Sequence, residues 1–447
     1  MPIDPGPAAG FDAGLLSPVS VGADAAVADG AIASALVRAE VALAQALGAV
    51  GVAPADAVLA IERAAAGLAV EPGELAAAAV RDGNPVGAVV ARLRAAVDGP
   101  DAAAWVHRGT TSQDILDTAL ALVARDAIGL VVGDLDRTVA ALAALARRYR
   151  DTPAAARTLT QQAVPTTVGA RFADWLVQLA DARDELAGAA LPAQLGGAAG
   201  TLSALAEEFG AETASRLPAA FATAAGLASD APWHTRRSAI TRLGDAVVRT
   251  TDALGRIAAD VALLTRTEIG ELSEGAGGGS TAMPQKQNPV HSVLLRSAAL
   301  RAPLLAAGLH IAAVNAIDER PDGAWHAEWP ALRELLRLAL GAAAHGALLA
   351  EGLTVDESAV ARNLAATNGL IVAERLMLAL RPYLGKAGVQ RLVDRAAAGE
   401  ALAALLAAEP ALAGLEVAPI LDPAGYLGIA RELVDRALAR AGGRIAG

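Results

Sequence analysis

The chain reads as mainly α, with a long-helix bundle at its centre, and three observations predict this. Hydrophobic residues make up 54% of the 447 but aromatic residues only 3%, so the apolar content is chiefly Ala, Leu and Val, which suit close-packed helices. Between 114 and 149 there is no proline, and Ile128, Val131, Leu135, Val139, Leu142, Leu145 and Tyr149 recur at helical spacing. Further on, Ile240, Leu243, Val247, Thr250, Leu254, Ile257, Val261 and Leu264 alternate in steps of three and four, which is a heptad seam.

Taken in order, the first helix covers 24–48, carrying Leu36, Val37, Val41, Leu43 and Leu47, and is ended by Gly48, Gly51 and Pro54. Short helices follow up to Val97, and Asp98-Gly99-Pro100-Asp101 is a turn signal. The long helix after Asp114 stops at Pro153. A helix of ~30 residues through the heptad seam spans roughly 45 Å, longer than a compact small domain needs, so the seam should pack against helices of this chain or of other subunits, and its length favours a subunit-bridging bundle over a core helix. Gly352, with Asp356 and Glu357 after it, marks a boundary, and the remainder is helical with breaks at Pro382, Pro410, Pro419 and Pro423. A chain this long exceeds what one core organises. The expected division is an N-terminal helical domain at 1–106, a central long-helix domain at 107–352 and a C-terminal helical domain at 353–447.

The net charge of -11 and pI near 5.1 argue against a nucleic-acid partner, which needs clustered Lys and Arg. An anionic substrate must find its cations locally. The absence of cysteine removes disulfides, thiol nucleophiles and thiolate metal sites, and fits a reducing cytoplasm. The start, MPIDPGPAAGFDAG, lacks the pattern of a signal peptide, and charges interrupt every long apolar stretch. The expectation is a cytoplasmic protein without a membrane partner.

One segment stands apart: Gly277 to Pro289 reads GGGSTAMPQKQNP. Three glycines permit movement and positive φ, while Pro284 and Pro289 stiffen the far end. Such a segment suits a lid whose N–H groups, Lys286 ammonium and Asn288 amide can meet an oxyanion. The order G-S-T-A-M-P-Q-K-Q-N-P resembles the signature of the fumarase/aspartase superfamily, G-S-S-x-M-P-x-K-x-N-P, with Thr281 in place of the second serine. The resemblance implies that Ser280 exchanges the proton beside a substrate carboxylate, and that Lys286 and Asn288 hold that carboxylate as it becomes an enolate.

Two further segments resemble the same superfamily. His107-Arg-Gly-Thr-Thr-Ser-Gln-Asp114 matches the segment whose hydroxyls bind a substrate carboxylate, which implies binding roles for Thr111, Ser112 and Gln113 and makes His107 a catalytic candidate. By itself, Ser112 or Asp114 in such a position caps the following helix. Arg157-Thr-Leu-Thr-Gln-Gln-Ala-Val-Pro-Thr-Thr-Val-Gly169 resembles T-H-x-Q-x-A-x-P-T-T-x-G, implying substrate contacts by Thr158 and Gln161. Leu159 stands where many lyases of the family carry a histidine. Expelling an amine or hydroxide requires a general acid, which leucine cannot be. A carboxylate departs already ionised, so Leu159 favours a lactone-forming cycloisomerase.

Whole segments, TSQDILDTA, GAWHAEWPAL, GLIVAERLMLAL and LDPAGYLG, are similar to the 3-carboxy-cis,cis-muconate cycloisomerase branch. That branch interconverts the muconate and 4-carboxymuconolactone in the protocatechuate route of aromatic degradation. The alternative is a lyase releasing fumarate from a substituted succinate with a weakly basic leaving group, such as nitrosuccinate. Adenylosuccinate lyase and a non-enzymatic paralogue stand behind both. The resemblance also implies a small di- or tricarboxylate substrate, a homotetramer with sites shared between subunits, a three-domain fumarase/aspartase-like fold, and Arg320 as a carboxylate clamp. His326 and His345, within apolar runs, are expected to be packed. No cofactor is called for, and the scattered histidines lack metal-ligand spacing.

Overall fold

The computed structural model describes residues 13–275, 278–279, 283 and 286–445. The protein is mainly α, and its chain gathers into two compact units, each assembled from three stretches of sequence. Among the described residues five long helices, Ser112–Arg148, Val168–Ala187, Ser238–Leu264, Val290–Val314 and Gly323–Gly352, contribute residues to both.

The first unit comprises the described part of Met1–Gly133 with Asp184–Asp252 and Ser297–Ala344. It opens on the helix Asp29–Ala49, which buries Leu36, Leu43 and Leu47 and packs on Ala211–Ala225. Helices Ala55–Ala66, Pro72–Asp82 and Val86–Ala96 follow. Where the long helices meet, glycine lets them approach: a Cβ at Gly244 would lie 2.8 Å from Leu309 Cδ1.

The second unit comprises Asp134–Arg183, Ala253–Arg296 and the described part of His345–Gly447. Its C-terminal helices enclose a core of Val372, Leu376, Leu380, Val389, Leu392 and Leu406. The chain does not break at Pro382, which lies inside Ala373–Ala397; it breaks at Gly385, whose φ of 65° and ψ of 168° suit glycine. Pro410, Pro419 and Pro423 each sit in the first turn of a short helical segment, where a missing N–H costs nothing. A β-hairpin, Pro153–Thr158 with Gln161–Thr167, departs from the helical expectation. Its Thr158, Val164, Thr166 and Thr167 are β-branched, and Pro165 is disfavoured in a helix interior.

The heptad seam corrects the expectation of a subunit-bridging role. Ile240, Leu243, Val247, Thr250, Leu254, Ile257, Val261 and Leu264 are all buried in the single chain, so the seam itself is a core face. The apolar face left uncovered belongs to Val290–Val314, where Val293, Leu300, Leu304, Ile311 and Val314 are all at least 55% exposed. These positions also repeat in heptad fashion.

Two helices have the length and mean hydropathy of a membrane span, Asp29–Ala49 at 1.3 and Val290–Val314 at 1.4. The first carries Arg38 and Glu40 and is mostly buried; the second carries Arg296 and Arg301.

Candidate active site

In the first unit the chain enters the Ser112–Arg148 helix through two left-handed residues, His107 (φ 58°) and Gly109 (φ 71°). Glycine is required at 109, because a Cβ there would run into Leu205. The helix is then capped from both directions: Asp114 N–H donates to the Thr111 carbonyl, and Asp114 Oδ2 accepts from Thr111 N–H at 3.0 Å and from Thr110 Oγ1 at 2.9 Å. The same fully buried carboxylate accepts from the N–H groups of Gly196 and Gly197, each at 2.9 Å, and contacts His234 Nε2 at 2.8 Å.

Thr111 and Ser112 are thereby fixed at a helix N-terminus, where N–H groups and the helix dipole favour an anion. The exposed Arg320 donates to Thr111 Oγ1, so three of the expected carboxylate contacts meet at one turn. Gln113 points the other way. It is buried, its Nε2 donating to the His234 carbonyl at 2.9 Å and to Asp117 Oδ2 at 3.2 Å.

Behind this turn lies a buried charge cluster. Arg237 donates to Asp117 at 2.7 and 3.1 Å and to Glu328 Oε2 at 3.0 Å, while Trp325 Nε1 donates to Asp117 at 2.8 Å. Burial pushes the Glu328 carboxyl above its ordinary value, opposed by Arg237. In front, His107 Nδ1 lies 2.6 Å from Oε1 of the fully buried Glu40.

In the second unit, Thr158 pairs across the hairpin with Gln161, and the two-residue tip between them, Leu159 and Thr160, has φ of 47° and 70°. All four are exposed, Leu159 to 96%. The hairpin is anchored one residue earlier, where Arg157 donates to buried Glu271 at 2.6 Å. Arg171 and Asn363 donate to the same carboxylate at 3.2 and 2.9 Å. Burial raises the Glu271 pKa, but hydrogen bonds from Arg157 and Asn363, with the charges of Arg171 and Arg157, bring it below the ordinary value.

The signature segment is closed at its base by a two-residue ladder, Gly278 opposite Asn288 and Gly279 opposite Gln287. A side chain at Gly278 would meet Val290 Cγ2 at 2.6 Å. Glu274, just before the ladder, accepts from the N–H groups of His291 and Ser292 at 3.0 and 2.9 Å, capping the helix just after it. Lys286 and Asn288 line an open cleft of about 740 Å³ with Thr265, Arg266, Glu268 and Ile269. Ser280 lies outside the described residues.

The structure thus gathers Thr111, Ser112 and Arg320, with His107 in the turn before them; separately it pairs Thr158 with Gln161 and Lys286 with Asn288. Of the histidines expected to be packed, His326 is exposed, with Nε2 2.8 Å from the Gly83 carbonyl. His345 is half-buried, its Nδ1 2.9 Å from that of His291. Sequence reasoning passed over four supporting acids, Glu40, Asp114 as a hub, Glu271 and Glu274. The available signal was an acid inside an apolar run, as at Glu40 between Ala39 and Val41.

Known proteins resemble the chain along most of its length. The family described as Lyase matches residues 23–304. A nitrosuccinate lyase of Streptomyces davaonensis is 49% identical over 384 residues, 81% of each chain. A 3-carboxy-cis,cis-muconate cycloisomerase of Pseudomonas aeruginosa is 42% identical over 387 residues, 82% of each chain. Among solved structures, the 3-carboxy-cis,cis-muconate lactonizing enzyme of Pseudomonas putida superposes with a TM-score of 0.85 at 35% identity, covering 93% of this chain and 96% of that one. The chain is an enzyme of the lyase and cycloisomerase kind, and belongs to the fumarase/aspartase superfamily.

Proposed function

We propose that the enzyme makes or breaks a bond β to a substrate carboxylate, with a leaving group that departs as a weak base. The observation that carries this is Leu159: the exposed hairpin tip offers no proton donor at the position where many relatives place histidine. Ser280 removes the proton beside the carboxylate, Lys286 and Asn288 stabilise the enolate, Thr111, Ser112 and Arg320 hold a second carboxylate, and Thr158 and Gln161 are further substrate contacts, while the buried Gln113 supports the turn instead of touching substrate.

Two reactions satisfy the constraint. In one, nitrosuccinate loses a proton and nitrite to give fumarate. In the other, a carboxylate of 3-carboxy-cis,cis-muconate adds within the same molecule to the alkene, and Ser280 protonates the resulting enolate carbon to give the lactone. Sequence features alone put the cycloisomerase first. The 49% identity to a nitrosuccinate lyase, against 42% to a cycloisomerase over similar coverage, reverses that order, and we place nitrite elimination first. The uncovered stripe on Val290–Val314 supports a homotetramer whose sites are shared between subunits. The three-part division at 106 and 352 and a cytoplasmic location belong to the same reading.

The test incubates purified enzyme separately with each substrate. Nitrite and fumarate formed from nitrosuccinate, and lost in Ser280→Ala, are expected. Loss of the conjugated-diene absorbance of carboxymuconate without nitrite release from nitrosuccinate restores the cycloisomerase. Neither activity above the Ser280→Ala background overturns both.

A further inference from the structure

Glu40 sits midway along Asp29–Ala49, a helix otherwise rich in Ala, Leu and Val, with Leu36, Val37, Ala39, Leu43 and Ala44 all buried around it. Its carboxylate is fully buried, and a buried charge is costly unless something in the fold requires it. Only Oε1 is engaged, at 2.6 Å from His107 Nδ1; Oε2 has no hydrogen-bond partner among the described residues. A carboxylate kept for helix packing alone would be better replaced by leucine.

The other end of the contact is held with equal care. His107 adopts a left-handed φ of 58°, uncommon for a side-chain-bearing residue. The backbone on both sides is pinned: Arg94 donates to the Val106 carbonyl at 2.9 Å, and the Arg108 guanidinium stacks 4.4 Å from the Trp105 ring while pairing with Glu208. The imidazole is 18% exposed, its Nε2 has no partner among the described residues, and it stands four residues before Thr111.

We propose that Glu40 is a positioning residue, holding His107 in the Nδ1–H tautomer so that Nε2 is the nitrogen offered to the bound substrate as an acceptor. A carboxylate can only accept from Nδ1, so at neutrality the proton sits there and Nε2 carries the lone pair. Nε2 is thereby left to accept a hydrogen bond or a proton from the ligand, with Glu40 facing the ring from the other side. This rests on the lyase reading for the identity of the ligand, but the tautomer itself does not.

The experiment is imidazole ¹⁵N NMR on the full-length wild type and on Glu40→Leu and Glu40→Gln, paired with kinetics on nitrosuccinate and carboxymuconate. Wild type is expected to show His107 protonated at Nδ1. In Glu40→Leu the ring shifts toward Nε2–H, thermal stability is unchanged or raised, and kcat falls about tenfold or more. Glu40→Gln, which can still accept from Nδ1, recovers much of the loss. In a His107→Gln background, Glu40→Leu costs nothing further. An unchanged tautomer in Glu40→Leu, or a loss that adds in full to that of His107→Gln, overturns the proposal. Should Glu40→Leu fail to fold, the Glu40→Gln tautomer and its additivity with His107→Gln decide the matter. If wild type turns over neither substrate, the proposed function fails while the NMR comparison still judges Glu40.

Discussion

His234 Nε2 lies 2.8 Å from Asp114 Oδ1, and this contact closes a ring of five donors around one buried carboxylate. The donors come from both the Thr110–Thr111 turn and the Gly196–Gly197 segment, so a single side chain sets the turn that carries Thr111 and Ser112. Replacing Asp114 by Ala strands a buried imidazole and three amide N–H groups, those of Thr111, Gly196 and Gly197. The expected cost is about 3–5 kcal/mol, read by chemical denaturation, with substrate binding lost in whatever fraction remains folded.

Arg320→Lys tests the clamp. A guanidinium meets a hydroxyl and a carboxylate at once with fixed geometry, whereas an ammonium is a single point charge. KM should rise about tenfold with a smaller change in kcat, and Arg320→Ala should raise it further. An equal fall in kcat for both variants, at constant KM, would place Arg320 outside substrate binding.

The hairpin tip carries strain that a shorter side chain relieves. Two-residue hairpin loops with positive φ at both positions favour Asn-Gly, yet this one holds Leu159-Thr160. The double change Leu159→Asn with Thr160→Gly should stabilise the protein by about 1 kcal/mol in thermal unfolding while reducing turnover. Stabilisation with full activity would show that Leu159 has no part in catalysis.

Burial, with the neighbouring His291 adding to it and Glu274 opposing it, holds the His345 pKa below its ordinary value. The folded state therefore binds fewer protons than the unfolded chain, and stability present above about pH 6.5 is lost as the pH falls below it. A Tm series from pH 7.5 to 5 should decline for wild type and flatten in His345→Gln. Parallel curves would remove His345 from the acid sensitivity.

The stripe on Val290–Val314 is tested by charge. Leu300→Glu with Leu304→Glu should give a smaller particle in sedimentation without loss of helicity, since both side chains are 75% exposed in the single chain. An unchanged sedimentation coefficient would exclude that face from assembly.

Periodicity made the long helices legible because a buried face repeats wherever a helix packs, and the Ser238–Leu264 seam is buried along its length. It could not say what covers that seam, since a core helix and an intersubunit helix bury the same pattern. The family signature in Gly277–Pro289 was legible from its own residue order. The supports were not: Gly196 and Gly197 reach Asp114 from 82 and 83 residues away, and Glu40 meets His107 from 67 away. Such partners are chosen by the packing of helices, and a local signal such as the acid at Glu40 in its apolar run does not say what it will meet. The hairpin was hidden for a different reason, being an isolated two-stranded ribbon inside a composition that favours helix.

The Gly278–Gly279 ladder, Lys286 and Asn288 run directly into the helix that bears the uncovered stripe, with Glu274 bolting the near side of the segment to that helix's first turn. On the proposed function, chemistry and assembly would share one strut. If copies of the chain dock along it, specific activity becomes a function of dilution, and an assay at nanomolar enzyme would report a weaker catalyst than the concentrated protein contains.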